Sequence, residues 1–170
     1  MKPQHTSAVL AGLTALTALI RPVASQEPTP PPDRSFHTDS AASACLDRAI
    51  QSRVANATRT FPQVRQRFAK GLPPGHHLSV TTRVQDRMGH FEQVFVAVDS
   101  LSRDTVFGRI ASDIGFVEGF RSGQAHAVTL RDVLDWTIVR PDGTEEGNFV
   151  GKYLDSLQDR LRGGGIPKPC

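Results

Sequence analysis

Hydrophobic and polar positions follow two different periods along the chain. Over residues 39–57 apolar side chains recur every three or four positions, the pattern of an amphipathic helix with one buried face. These side chains are Ala42, Cys45, Leu46, Ala49 and Ile50. From residue 78 the period changes to two, which is typical of strands with one buried face. The pattern therefore predicts helices first and a sheet after them.

A second, separate helix is predicted to begin near Thr60. The Thr60 hydroxyl can accept a hydrogen bond from the Gln63 amide, and the Gln63 side chain can bond back to Thr60, which is a capping box. Pro62 would lie in the first helical turn, where the missing amide hydrogen costs no helical hydrogen bond. Phe61, Val64 and Phe68 give this helix an apolar face. Glycines and prolines in residues 71–75 end it.

Five strands are predicted, at residues 78–84, 91–99, 105–111, 124–129 and 135–140. The second is apolar on both faces, so we expect it in the middle of the sheet. Gly108 inside the third strand predicts a bend or bulge. Residues 130–134 are too few for a helix of their own and predict one tight helical turn.

A closing helix is predicted from Asn148, a residue with good N-cap chemistry. Its apolar face contains Phe149, Tyr153, Leu154, Leu157 and Leu161. The expected fold is therefore α+β: a strongly bent antiparallel sheet of about five strands, with two N-terminal helices and one C-terminal helix. Such a sheet could close as a small SH3-like barrel.

The ends of the chain predict export and a single domain. Residues 1–25 have the basic start, apolar run and small residues of a cleavable signal peptide. A retained membrane anchor is the alternative, but the apolar run covers only about 20 Å of a bilayer core of about 30 Å. A proline-rich linker (26–38), one α+β domain (39–162) and a flexible Gly/Pro tail (163–170) follow. We expect a periplasmic or secreted protein with no stable membrane insertion after signal cleavage.

Charge and motifs exclude several functions. Losing Lys2 and Arg21 with the signal lowers the formal charge from +3 to +1, so nothing indicates a nucleic-acid partner. No Gly-x-Ser-x-Gly motif occurs, and the adjacent His76 and His77 point apart and make a poor metal site. Residues 147–152 resemble a phosphate loop, but the glycine spacing is one residue short. We therefore assign no catalytic residue, cofactor or metal ligand.

The two cysteines would both enter an oxidising compartment after export. Cys45 lies in the first helix and Cys170 is the last residue. The tail is long enough to return to that helix, so an intramolecular disulfide is plausible. A disulfide to a partner chain, or a buried Cys45 with a free tail thiol, are the alternatives.

Three segments carry a resemblance to a known family. They are residues 92–99 (EQVFVAVD), Asp135-Trp136 followed by Thr137-Ile138, and residues 146–155 (EGNFVGKYLD). Over about residues 44–162 the chain resembles the domain-of-unknown-function family 2314, the YegJ-like proteins. The resemblance implies a helix, a meandering sheet with a late Asp-Trp and a closing helix. It implies no activity and no catalytic residues.

Four residues of these motifs form a candidate surface motif: Asp135, Trp136, Asn148 and Lys152. A structural corner is the favoured interpretation of the Asp-Trp pair, and a ligand-facing pair is the alternative. Gly151 is expected to permit close approach of the helix backbone to a strand. An anion held near Asn148 and Lys152 is a further alternative.

The function predicted from sequence is a non-enzymatic binding or accessory module of the cell envelope, whose partner is an unidentified envelope protein or ligand. The alternative is a small envelope hydrolase in which acids such as Glu92, Asp113 and Asp135 converge only in the fold. A cavity lined by two or more of these carboxylates would favour the enzyme. A shallow apolar patch at a sheet edge would favour the binding module.

Overall fold

The computed structural model describes residues 40–162, which form a long helix, a six-stranded antiparallel sheet and a second helix. The predicted α+β class is confirmed. The predicted signal peptide (1–25), linker (26–38) and tail (163–170) lie outside the described residues.

The order of elements along the chain is helix, six strands and helix. The bounds are α1 Ser40–Lys70, β1 His77–Gln85, β2 Phe91–Leu101, β3 Thr105–Ile110, β4 Ala125–Thr129, β5 Asp135–Val139, β6 Glu145–Gly147 and α2 Phe149–Arg162. The helical turn predicted before β5 is confirmed as a short 3-10 helix at Leu130–Asp132.

The strands are ordered β4-β3-β2-β1-β5-β6, and every neighbouring pair is antiparallel. The central position predicted for β2 is confirmed. β4 and β6 are the two edges of the described sheet, so the sheet is open and barrel closure is not observed. The predicted number of five strands is wrong because β6 has only three residues, two glutamates and a glycine, which show no apolar alternation.

The hydrophobic core lies between α1 and one face of the sheet. Val80 is opposite Val96 on one side and Trp136 on the other, and all three are buried. Ala57, Phe61 and Val64 of α1 belong to the same cluster. The opposite face of β2, which carries Phe91, Phe95 and Ala97, is only half-buried. α1 therefore covers the valine-rich face.

The irregularity predicted near Gly108 lies in the strand beside it. Val98 pairs with Gly108 and Ser100 with Phe107, so Asp99 is an extra residue in β2. A Cβ atom on Gly108 would lie 2.0 Å from the Ala97 carbonyl oxygen. Only glycine allows β3 to approach β2 this closely.

The two predicted N-terminal helices are one continuous helix, so that prediction is wrong. The Thr60 hydroxyl does not form a capping box; it donates to the carbonyl oxygens of Asn56 and Ala57 in the preceding turn. Phe61 and Val64 are buried against the sheet. Their burial favours helix on both sides of Pro62 and outweighs the one hydrogen bond that proline removes.

Replacing Pro62 by alanine should stabilise the protein by about 1 to 2 kcal/mol. Pro62 is exposed, so no packing is lost, and the substituted alanine would restore an amide donor for the Thr58 carbonyl. Losing the proline also frees the unfolded chain, which offsets part of the gain. Urea denaturation of both proteins measures the difference. An unchanged or lower stability would contradict this account of α1.

α2 packs on the N-terminal half of α1. Val150 lies with Leu46 and Ile50 in a small buried cluster, against which Tyr153 and Leu154 pack. Leu157 is buried as its spacing predicts, whereas the side chain of Leu161 lies outside the described part of the chain. The buried Val150 was not among the predicted apolar positions. Neither helix within residues 40–162 is both long and apolar enough to cross a bilayer.

Candidate functional site

The four residues of the candidate surface motif meet where β5, β6 and α2 join. Asp135 and Trp136 open β5, Asn148 immediately precedes α2, and Lys152 lies in its first turn. β6 pairs with β5, and the Asn148 amide extends this pairing by donating to the Trp136 carbonyl at 2.8 Å. Strand pairing thus brings both ends of the motif together.

Asp135 is fully buried and anchors the start of α2. Its Oδ2 accepts a 2.6 Å hydrogen bond from the Val150 amide, and its Oδ1 accepts one of 2.8 Å from the Trp136 amide. Burial raises the pKa of Asp135 to about 6, although the hydrogen bonds from backbone amides and the charge of Lys152 act in the opposite direction. A carboxylate on a strand therefore satisfies one of the unpaired amides of the helix.

Asn148 holds the position before α2 without making the side-chain cap expected of it. Its backbone is left-handed, with φ of 53°, and its carbonyl accepts the Lys152 amide at 3.0 Å. The side-chain Nδ2 donates to Glu145 Oε2 at 2.7 Å, while the buried Oδ1 has no hydrogen-bond partner among the described residues. The capping role that the sequence indicated for Asn148 belongs to Asp135.

Two glycines of the motif permit close contacts. A Cβ atom on Gly151 would lie 2.2 Å from Asn148 Oδ1, so the contact that requires glycine there is with the Asn148 side chain. A Cβ atom on Gly147 would lie 2.2 Å from the Trp136 carbonyl oxygen, and Gly147 has φ of 81°. The requirement for glycine is therefore strongest at Gly147, which the sequence did not single out.

Trp136 connects three elements. Its indole N–H donates to the Thr60 hydroxyl of α1 at 3.0 Å, and its ring meets the Phe149 ring of α2 edge to face at 5.7 Å. Only 3% of Trp136 is exposed. Both residues of the Asp-Trp pair are therefore buried, and their side chains contact α1 and α2.

Lys152 is exposed and lines a groove between the first turn of α2 and the facing stripe of α1, which is called the α1–α2 groove below. Its ammonium donates to the carbonyl oxygens of Gly147 at 2.8 Å and Glu145 at 3.2 Å. The groove has a volume of about 660 Å³, and its lining includes Arg53, Arg59 and Phe149. A member of the motif is therefore accessible to a ligand, together with two arginines that the sequence did not single out.

The carboxylates proposed for the alternative enzyme lie apart. Glu92 is buried at the start of β2, where it accepts hydrogen bonds from the amides of Gly115, Phe116 and Val117 at 3.1 to 3.4 Å. Asp113 is exposed, and Asp135 binds α2. None of the three lines the groove at Lys152 or a second groove of about 370 Å³ beside Asp47 and Asp132. Glu92 organises a loop through its backbone amides.

An exposed apolar surface lies on the sheet face opposite α1, at the β4 edge. Phe107 pairs directly with Ala127, and Ala125 points to the same face two residues along β4. Phe107 is 45% exposed and both alanines are exposed. These three residues are called the β4-edge patch below. The feature of the sequence that could have revealed this patch is the apolar pair Val106-Phe107. Neighbouring residues of a strand point to opposite faces, so only one of the two can face the core under α1.

The structure describes only one of the two cysteines of the predicted disulfide. Cys45 lies half-buried near the start of α1, and Cys170 lies outside the described residues. The Cys45–Cys170 disulfide stays a prediction.

Comparison of the chain with family models, curated proteins and solved structures found no match. Within the part of the chain that the structure describes, no three His, Cys, Asp or Glu side chains are grouped so as to hold a metal ion.

Proposed function

We propose that this protein is an exported, non-enzymatic binding or accessory module of the cell envelope, and that it binds a protein partner through the β4-edge patch. The observation that carries the proposal is the exposure of Phe107 beside two exposed alanines on the sheet face opposite α1. Isolated exposed apolar residues are ordinary, but a contiguous group at a sheet edge is typical of an interaction site.

The backbone of β4 supports the same surface. As an edge strand of the described sheet, β4 is hydrogen-bonded there to β3 alone and presents its outer backbone groups for pairing. Its sequence, AHAVT, contains no proline, lysine or acidic residue of the kind that protects sheet edges from pairing. A partner could therefore add a strand at β4 while covering Phe107.

The remaining parts of the proposal rest on the sequence. The signal-peptide pattern of residues 1–25 supports export to the periplasm or the medium, and the motifs at residues 135–138 and 146–155 support membership of family 2314. A disulfide between Cys45 and Cys170 would suit that compartment. The hydrolase alternative is not favoured, because Glu92 and Asp135 bind backbone amides and line neither groove.

Capture from envelope extract tests the proposed surface. The immobilised full chain should retain a protein species that Phe107→Ser retains at least about tenfold less, because a half-exposed Phe side chain would be buried on binding. Met88→Ser is the control, since Met88 is 77% exposed but lies in the turn between β1 and β2. Equal capture by all three proteins, or none by the wild type, would contradict the proposal.

A further inference from the structure

The groove beside Lys152 collects positive charge. It runs between two helices: Ser52, Asn56 and Arg59 lie on one stripe of α1, and Phe149 and Lys152 lie one turn apart in α2. Arg53 also lines it, so three cationic side chains share one concave surface. Among residues 40–162, no acidic side chain lines this groove.

None of these three cations forms a salt bridge within the described residues, although the ammonium of Lys152 donates to two backbone carbonyl oxygens and its charge acts on buried Asp135. The salt bridges of residues 40–162 involve other basic side chains. Arg53 stacks on the Tyr153 ring at 4.1 Å and donates to the Ser52 hydroxyl, and Arg59 donates to Asn56 Oδ1 at 2.5 Å. These neutral contacts hold the guanidinium groups in place and leave further N–H donors for a ligand.

From this arrangement we infer that the α1–α2 groove is a binding site for a phosphate ester on a sugar or polyol skeleton. Guanidinium and ammonium groups are the side-chain cations that bind phosphoryl groups in proteins, and this groove has two of the first kind and one of the second. The volume of about 660 Å³ exceeds what a lone phosphate ion needs and lies in the usual range of small-molecule sites. Phe149, Ser52 and Asn56 offer an apolar wall and hydroxyl and amide groups to the carbon skeleton.

The site is separate from the β4-edge patch, so it goes beyond the proposed protein partner. Its ligand could come from a free metabolite, which presents a phosphate monoester, or from the repeating unit of an anionic envelope polymer, which presents a phosphate diester. The two sources differ in valency, because a polymer offers many copies of the group to one groove.

Titration calorimetry on the full chain at low salt tests the inference, with sn-glycerol 3-phosphate and poly(glycerol phosphate) as probes and glycerol as the uncharged comparison. We expect saturable binding of at least one phosphate probe, none of glycerol, and weaker binding at high salt because the groove is open to solvent. Tighter binding per phosphate to the polymer would identify the envelope source, and equal or tighter binding to sn-glycerol 3-phosphate would identify the free metabolite.

Arg59→Gln is the informative variant, since the hydrogen bond of Arg59 is to Asn56 of its own helix. It should weaken binding about tenfold or more, and Arg59→Glu should abolish it. Arg121→Gln, an exposed arginine in the loop before β4, is the matched control and should bind as the wild type does. Thermal unfolding verifies that all variants are folded. Absence of binding to both phosphate probes, or equal binding by the wild type and Arg59→Glu, would overturn the inference.

Discussion

A Gly147→Ala variant should lose about 3 to 4 kcal/mol of unfolding free energy. Two costs add. At φ of 81° an alanine is strained by about 1 to 2 kcal/mol relative to glycine. The new Cβ would also lie 2.2 Å from the Trp136 carbonyl oxygen and 2.7 Å from its ring. Relief of that overlap would separate β6 from β5, because this carbonyl already accepts the Asn148 amide.

Gly143→Ala is the matched control for this experiment. Gly143 lies in the turn of the same β5–β6 hairpin and has φ of 79°, but a Cβ atom there meets no atom of the described residues within 4 Å. It should cost only the backbone strain, about 1 to 2 kcal/mol. Chemical denaturation of the three proteins gives the comparison. Equal losses at the two glycines would show that contact with Trp136 contributes nothing.

The first five strands were predictable because the alternation of residue types along each is local. β1 alternates apolar residues such as Val80 and Val84 with polar ones, and β2 places valines on one face and aromatic residues on the other. The prediction of one buried face for β1 is wrong, because Ser79 and Thr81 on its other face are buried as well. The period of two is a local property, so neither strand needed knowledge of its neighbours. β6 shows the limit, since its pairing with β5 comes from the hairpin turn and not from side chains.

The continuity of α1 was not predicted because local rules at Thr60 and Pro62 favour a helix start. The counter-signal was the spacing of buried residues across that point: Leu46, Ile50, Ala57, Phe61 and Val64 are separated by three, four or seven positions. That stripe is unbroken through Pro62, and burial against the sheet determines the outcome. Periodicity over the longer window was the better guide.

The candidate motif was located by sequence, but its chemistry was not. Asp135 caps a helix that begins well after it in the chain, which no local pattern encodes. The same is true of the α1–α2 groove, because its two arginines lie in the first helix along the chain and its lysine lies in the last. Spacing rules describe one element, whereas both sites are made by the packing of one element on another.

Asp135→Asn should remove a pH dependence of stability that the wild type has. The folded pKa of about 6 lies above the ordinary value of 3.8, so the folded protein binds this proton more tightly than the unfolded chain does. The stability that the protonated carboxyl contributes is therefore complete below pH 3.8 and is lost as the pH rises through about 6. The loss amounts to about 3 kcal/mol across the whole window.

Measuring both proteins by urea denaturation from about pH 4 to about pH 8 isolates this group, because other carboxyls contribute equally to each and cancel in the difference. Glu146 is one of them; its hydrogen bond with Arg67 lowers its pKa. The asparagine variant should gain about 2 to 3 kcal/mol relative to the wild type as the pH rises. A difference that is flat, or that favours the wild type at high pH, would mean that the amides of Val150 and Trp136 stabilise the ionised carboxylate more than burial opposes it.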